Sequence, residues 1–183
     1  MKSNLGSTLY NSCFLTGSFF SSLSLILELN ISLLCAIVYT MIVTIDTNVI
    51  FSALYSKRGA SHQILKLVLD EKIKLALSPQ VYFEYWDVLA RKENLEKLNL
   101  SMPEIETILD LIALLAKKHS IYFLLRPNLI DENDNMIFEC AFASNSDYLI
   151  TSNIKYFRNT ELKGFGFKVI TPGDFYKLWE LKK

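Results

Sequence analysis

Asp46 follows the β-branched run Ile42-Val43-Thr44-Ile45 and precedes Thr47-Asn48, so a carboxylate, a hydroxyl and an amide meet at a predicted strand end. A single aspartate there ordinarily does no more than cap the next helix. Two further acidic positions change the weighing. Glu84 lies in a segment opened by Ser78-Pro79 and is flanked by Phe83, Tyr85 and Trp86, which weigh against the plain alternative of a solvated helix-side glutamate. Asp131-Glu132-Asn133-Asp134-Asn135 opens another apolar segment, and the helix dipole accounts for one or two acids there without needing three. Thr151-Ser152-Asn153 offers Thr151 and Asn153 to orient water or a carboxylate, although alone it reads as a loop of turn formers. Hard cations take oxygen ligands and keep several waters, so carboxylates brought from three elements to one sheet edge suit Mg2+ or Mn2+. The metal would relieve their mutual repulsion and draw in a phosphodiester that an all-acidic pocket repels.

Positioning these groups requires an α/β fold, because short strand-type runs alternate with stretches of helical period from Met41 onward. Strands are expected at Ile42–Ile45, Lys74–Leu77, Ser120–Leu124, Tyr148–Thr151 and Phe167–Ile170, in a mainly parallel five-stranded sheet. In such sheets ligands bind beyond the carboxyl ends of the strands, at a topological switch point. Helices are expected over Asn48–Tyr55 and over Ser61–Asp70, the latter with Ile64, Leu65, Val68 and Leu69 inward. Ser78-Pro79 should start a helix reaching about Arg91, with Val81, Tyr85, Val88 and Leu89 buried. Ser101-Met102-Pro103-Glu104 is a capping box opening a helix to Leu115, with Ile105, Ile108, Leu109, Ile112 and Leu115 inward. A polar turn over Arg126–Asn133 should lead into a helix over Asp134–Ala143, and Thr171-Pro172-Gly173-Asp174 should cap a terminal helix.

The chain is long enough to bury a full core, with 51% hydrophobic residues in 183. Its 19 basic and 19 acidic residues exclude a module that holds nucleic acid by bulk charge, so any such contact must be local. Three cysteines without metal-ligand spacing and two histidines argue against a disulfide scaffold, a zinc site or a Cys/His nucleophile pair. Residues 1–40 differ in kind: they are apolar and Ser-rich, with Lys2 and Glu28 their charged residues. Three readings stand for them: an upstream extension before a true start at Met41, a membrane anchor, or a disordered tail. The first is favoured, because a chain from Met41 is a complete domain of ordinary size that needs no membrane. The expected division is therefore 1–40, not translated or not folded, and 41–183, the α/β domain that carries the acidic residues.

Taken in order, Ile45-Asp-Thr-Asn-Val49, the Ser78–Leu89 segment with Glu84, Asp134-Asn-Met-Ile-Phe-Glu-Cys-Ala141 and Asp147-Tyr-Leu-Ile-Thr-Ser-Asn153 resemble the signature of PIN domains. The likeness is closest to the branch described as toxins of toxin-antitoxin pairs. It runs from about Met41 to Trp179 and leaves residues 1–40 uncovered. The resemblance implies a three-layer α/β/α fold and a cytoplasmic endoribonuclease dependent on Mg2+ or Mn2+. It matches Asp46, Glu84 and Asp134 to the family's metal ligands and catalytic acids. Where many PIN domains carry a fourth acid, this chain has Asn153, which puts a second tightly held metal in doubt. Asp147 precedes the strand and is no evident substitute, whereas Glu139 is a supporting candidate beside Thr47, Asn48, Thr151 and Asn153. An RNA substrate and an antitoxin partner binding near the cleft are implied, and a homodimer is compatible.

The expected chemistry is in-line attack of a metal-activated water on an RNA phosphodiester, leaving 5'-phosphate and 3'-hydroxyl ends. Lys57, Arg58, Lys155 and Arg158 are candidates for backbone contacts, although scattered surface cations usually do no more than solvate. An aspartyl-phosphate phosphatase would need an acid two residues after Asp46, and Asn48 stands there. A response-regulator-like phospho-acceptor lacks its acidic pair. The alternative from a different class is a non-catalytic PIN fold that binds RNA or protein, its metal site weakened at Asn153.

Overall fold

Val43, Ile45, Leu75, Leu77, Leu149 and Ile150 are all buried, without the in-out alternation of a one-sided sheet. That pattern belongs to parallel strands covered on both faces. The computed structural model describes residues 40–122, 132–157 and 166–182, less the side chains of 132–134 and of Tyr156. Contacts divide the chain between Tyr39 and Thr40, and the second unit is the one described. The expectations for residues 1–39, for the polar turn up to Asp131 and for Arg158 lie outside the described residues.

The order is β1 (Ile42–Ile45), α1 (Thr47–Tyr55), α2 (Ala60–Leu69), β2 (Lys74–Leu77), α3 (Pro79–Leu89), α4 (Lys92–Leu98), α5 (Met102–Leu115) and β3 (Lys117–Lys118). Then come α6 (Glu132–Ala143), β4 (Tyr148–Ile150), a 3-10 turn (Ile154–Phe157), β5 (Lys168–Ile170) and α7 (Pro172–Glu180). The sheet runs β3-β2-β1-β4-β5 with every pairing parallel. It is the middle layer of the expected α/β/α sandwich, in which α2 packs on α1 and α7, α3 packs on α5 and α6, and α6 lies against β1, β2 and β4. After β1, β2 and β3 the chain returns past β1 to lay down β4, so the switch point falls between β1 and β4.

Local chemistry sets most helix starts. Ser78 accepts from the Val81 amide at 3.3 Å with Pro79 in the first turn, Ser101 and Glu104 close the capping box, and Thr171 accepts from Asp174. Along α3, Val81, Tyr85 and Leu89 are fully buried, each worth about 1.5–3 kcal/mol relative to exposure.

Several expectations need correction. The third strand is Lys117–Lys118 rather than the run expected from Ser120, of which residues 120–122 are described and form no strand. It begins as soon as α5 ends and pairs Ala76↔Lys117 and Leu77↔Lys118. A short edge strand bearing lysines resists further pairing, and the apolar Ile121-Tyr122 that follows is irregular. The helix from Ser78 stops at Leu89 rather than Arg91, and an unexpected α4 follows, closed by Asn99 in the left-handed region at φ 52°. Leu69 is 40% exposed rather than inward, and Val88 and Leu115 are only half-buried, whereas Ile108, also half-buried, packs against the core as expected.

Candidate active site

Register brings the first two groups together. Ile45 pairs with Ile150, so the next residues, Asp46 and Thr151, lie side by side at the carboxyl ends of β1 and β4. Val43↔Leu75 likewise brings Ser78, the cap of α3, to the same edge beside Asp46. Asp46 is 4% exposed and serves as the N-cap of α1, so the plain capping role is also real, though its bond from the Asn48 amide is long at 3.4 Å.

The Asp46 carboxylate does more than cap. Its Oδ2 accepts from the Thr151 hydroxyl at 2.5 Å and from the Asn48 side-chain amide at 2.5 Å. Asn48 Oδ1 in turn accepts from the Ser152 amide at 3.3 Å, and Thr151 Oγ1 accepts from the Asn153 amide at 2.9 Å. These ties fix the loop after β4 against the start of α1. Burial pushes the Asp46 carboxyl above its ordinary pKa, and hydrogen bonds from Thr151 and Asn48 offset part of that rise. Among the described residues no lysine or arginine pairs with it.

Glu84 reaches the same place from α3. Its Oε1 accepts from the Thr47 hydroxyl at 2.8 Å, next to Asp46 in the chain. The neighbouring Tyr85 is fully buried and donates its hydroxyl to the Ile45 carbonyl, pinning α3 to the end of β1. Tyr85 also feels the charge of both carboxylates: burial raises its phenol pKa well above the usual value, and Cys140, Asp46 and Glu84 push it further. Glu84 is half-buried between exposed Phe83 and Trp86, so those aromatics shelter it less than their type suggested.

Asp134 is the third residue of α6. That helix leads back to the amino end of β4, which places its first turn at the carboxyl end of the sheet with Asp46, and its side chain lies outside the described residues. Glu139 is buried on α6 and lines a cavity of about 490 Å³ with Lys118, His119, Tyr122 and Phe142. Asn135, four residues earlier on the same face, is also buried; only its helical spacing from Glu139 could have singled it out. Asp147 sits at the opposite end of the sheet, where its Oδ2 accepts from the Ile42 amide at 2.8 Å. Lys57, Arg58, Asn153 and Lys155 are exposed.

Sequence reading missed the Tyr85 tether and a buried hydroxyl chain in which Thr44, Ser146 and Ser144 are linked at 2.9 and 2.7 Å. The Cys140 thiol extends that chain to Ser78, and burial pushes the thiol up to about 11. Among the described residues no three His, Cys, Asp or Glu side chains gather as metal ligands. The pair that does gather, Asp46 with Glu84, nonetheless fits a hard cation: both are oxygen donors, and Asp46 is a buried anion held by neutral partners.

The family model of the PIN domain matches residues 42–155, well over half of the chain. The chain belongs to the PIN domain family. No curated protein matches it. Among solved structures it is similar in fold to VapBC2 from Rickettsia felis, solved bound to a DNA fragment from their promoter, at 21% identity and a TM-score of 0.51. That match covers 72% of this chain and 98% of the other.

Proposed function

We propose that this PIN-domain protein is a divalent-metal-dependent endoribonuclease and the toxin half of a toxin-antitoxin pair, with Asp46, Glu84 and Asp134 as its ligand set. The observation that carries the reading is the convergence of Asp46 and Glu84, joined through Thr47, at the switch point of a parallel sheet. Thr151 and Asn48 hold the Asp46 carboxylate in one orientation, and Tyr85 fixes the helix that carries Glu84. Bound Mg2+ or Mn2+ would neutralise phosphate charge and lower the pKa of a coordinated water. Asp46 and Asp134 would hold the ion directly or through water, and Glu84 would complete the set or orient the attacking water. The fold likeness to VapBC2 supports the toxin reading, with an antitoxin near the cleft and the cytoplasm as its place of action.

The test is cleavage of mixed single-stranded RNA by the full chain in Mn2+, Mg2+ and EDTA, alongside Asp46→Asn and Glu84→Gln. Cutting should need the metal and fall at least 100-fold in either variant, a loss of about 2.7 kcal/mol or more in transition-state stabilisation. A folded wild-type protein that cuts none of several RNAs in either metal would instead make this a binding module.

A further inference from the structure

We propose that the outward face of α1 is a track for single-stranded RNA, with the Tyr55 ring, backed by Phe51, as the platform on which a base stacks; the choice of ligand rests on the nuclease reading above. Helical spacing puts Asn48, Phe51, Ser52 and Tyr55 on one face. Asn48, Phe51 and Ser52 are half-buried, whereas Tyr55 is 64% exposed. At one end Asn48 bonds both Asp46 and the loop after β4. At the other end, about 10 Å away at 1.5 Å per residue, the Phe51 and Tyr55 rings lie nearly parallel, 10° apart with centroids at 6.2 Å.

Phe51 fixes the Tyr55 ring while leaving most of it in solvent, which gains little from burial but suits a π-face that must receive another ring. The chain then turns through exposed Lys57 and Arg58, neither of which forms an ion pair among the described residues. In a chain of zero net charge these two cations supply local attraction for phosphate where the track leaves the helix. Polar Asn48 and Ser52 interrupt the face, so it lacks the contiguous apolar patch of a protein-docking surface. A strand with its scissile phosphate at Asp46 would bring a base to Tyr55 roughly three nucleotides away at a stacked rise of about 3.4 Å.

The experiment is fluorescence anisotropy of a labelled ten-nucleotide RNA with the full chain in EDTA, read beside the cleavage assay. Tyr55→Ala should weaken binding about five- to hundred-fold, and Tyr55→Trp should bind like wild type. Thermal melting of Tyr55→Ala should match wild type, which separates lost stacking from lost structure. Replacing both Lys57 and Arg58 by Ala should reduce the slope of log affinity against log salt by about 1.4. Equal binding by Tyr55→Ala, or no binding by wild type, overturns the track and leaves the face to another ligand such as a protein. If RNA is cut and Asp46→Asn abolishes cutting while Tyr55→Ala binds normally, the track alone fails. If binding depends on Tyr55 but nothing is cut, the nuclease reading alone fails.

Discussion

Asp46→Asn should make the metal-free protein more stable at neutral pH while disabling its site. The wild-type carboxylate is buried at the end of β1 with neutral hydrogen-bond partners and no cation among the described residues. Burying a charge costs several kcal/mol, and each short hydrogen bond to a charged group, as from Thr151 and the Asn48 side chain, returns about 1.5–3 kcal/mol, with weaker help from the Asn48 and Thr47 backbone amides. The upward shift of the Asp46 pKa says that burial wins. The asparagine can place its oxygen at the Oδ2 position, keeping the bonds from Thr151 and the Asn48 side chain. Its amide then replaces Oδ1, gives up the 3.4 Å bond from the Asn48 backbone and weakens the carboxylate's further bond from the Thr47 backbone amide. The net gain should show as a higher Tm for the metal-free variant, each kcal/mol being worth about 3 °C in a domain of this size.

The pH dependence has a definite sign. With a raised folded-state pKa, the folded protein holds a proton that the unfolded chain has released. Wild-type stability therefore falls as pH rises from the ordinary carboxylate range through the raised value, and stays lower above it. The variant has no such group, so its advantage in EDTA should be complete at pH 7.5 and shrink toward pH 4. In Mn2+ at about a hundred times its dissociation constant, wild type should gain about 2.7 kcal/mol, or roughly 8 °C, and the variant much less. Melting curves by circular dichroism from pH 4 to 8, in EDTA and in Mn2+, provide the assay. A variant that melts at or below wild type in EDTA at pH 7.5 would show that the buried charge is no burden, and the case for a cation-seeking site would fall with it.

Two further substitutions separate the site from its scaffold. Thr47→Val removes the hydroxyl that holds Glu84 Oε1; it should cost about 1 kcal/mol in stability and blunt both the Mn2+-induced rise in Tm and the cleavage rate, and an undiminished metal response would dissociate Thr47 from the site. Asp147→Ala removes the acceptor for the Ile42 amide at the far end of the sheet; it should lower stability by about 1–2 kcal/mol in urea unfolding while cleavage per folded molecule stays at the wild-type rate.

What could be read from the sequence follows from how local each determinant is. Ser78-Pro79, Ser101 with Glu104, and Thr171 announced their helices because a cap is made by residues within one turn of each other. β1 and β4 were legible as apolar runs because both faces of a central parallel strand are buried. β3 was misplaced because a two-residue edge strand is defined by its bonds to β2, and the apolar residues that suggested a strand come after it. α4 has no fully buried residue, and the two leucines it rests on the core, Leu95 and Leu98, are too short a stripe to announce a helix.

The site divides along the same line. Carboxylates at predicted strand and helix ends could be picked out in chain order, but their connections depend on sheet register. With Ile45 opposite Ile150, the apolar runs of β1 and β4 stop at the same level, where buried polar groups, Asp46 beside Thr151, take over. A slip of one residue would turn every side chain of β1 to the other face, taking Asp46 from Thr151 and Thr47 from Glu84 together. Because Val43, Thr44 and Ile45 are buried almost completely, the packing that forbids that slip is what holds the two carboxylates in place. The core of the sheet thus sets the geometry of a site to which it contributes no carboxylate.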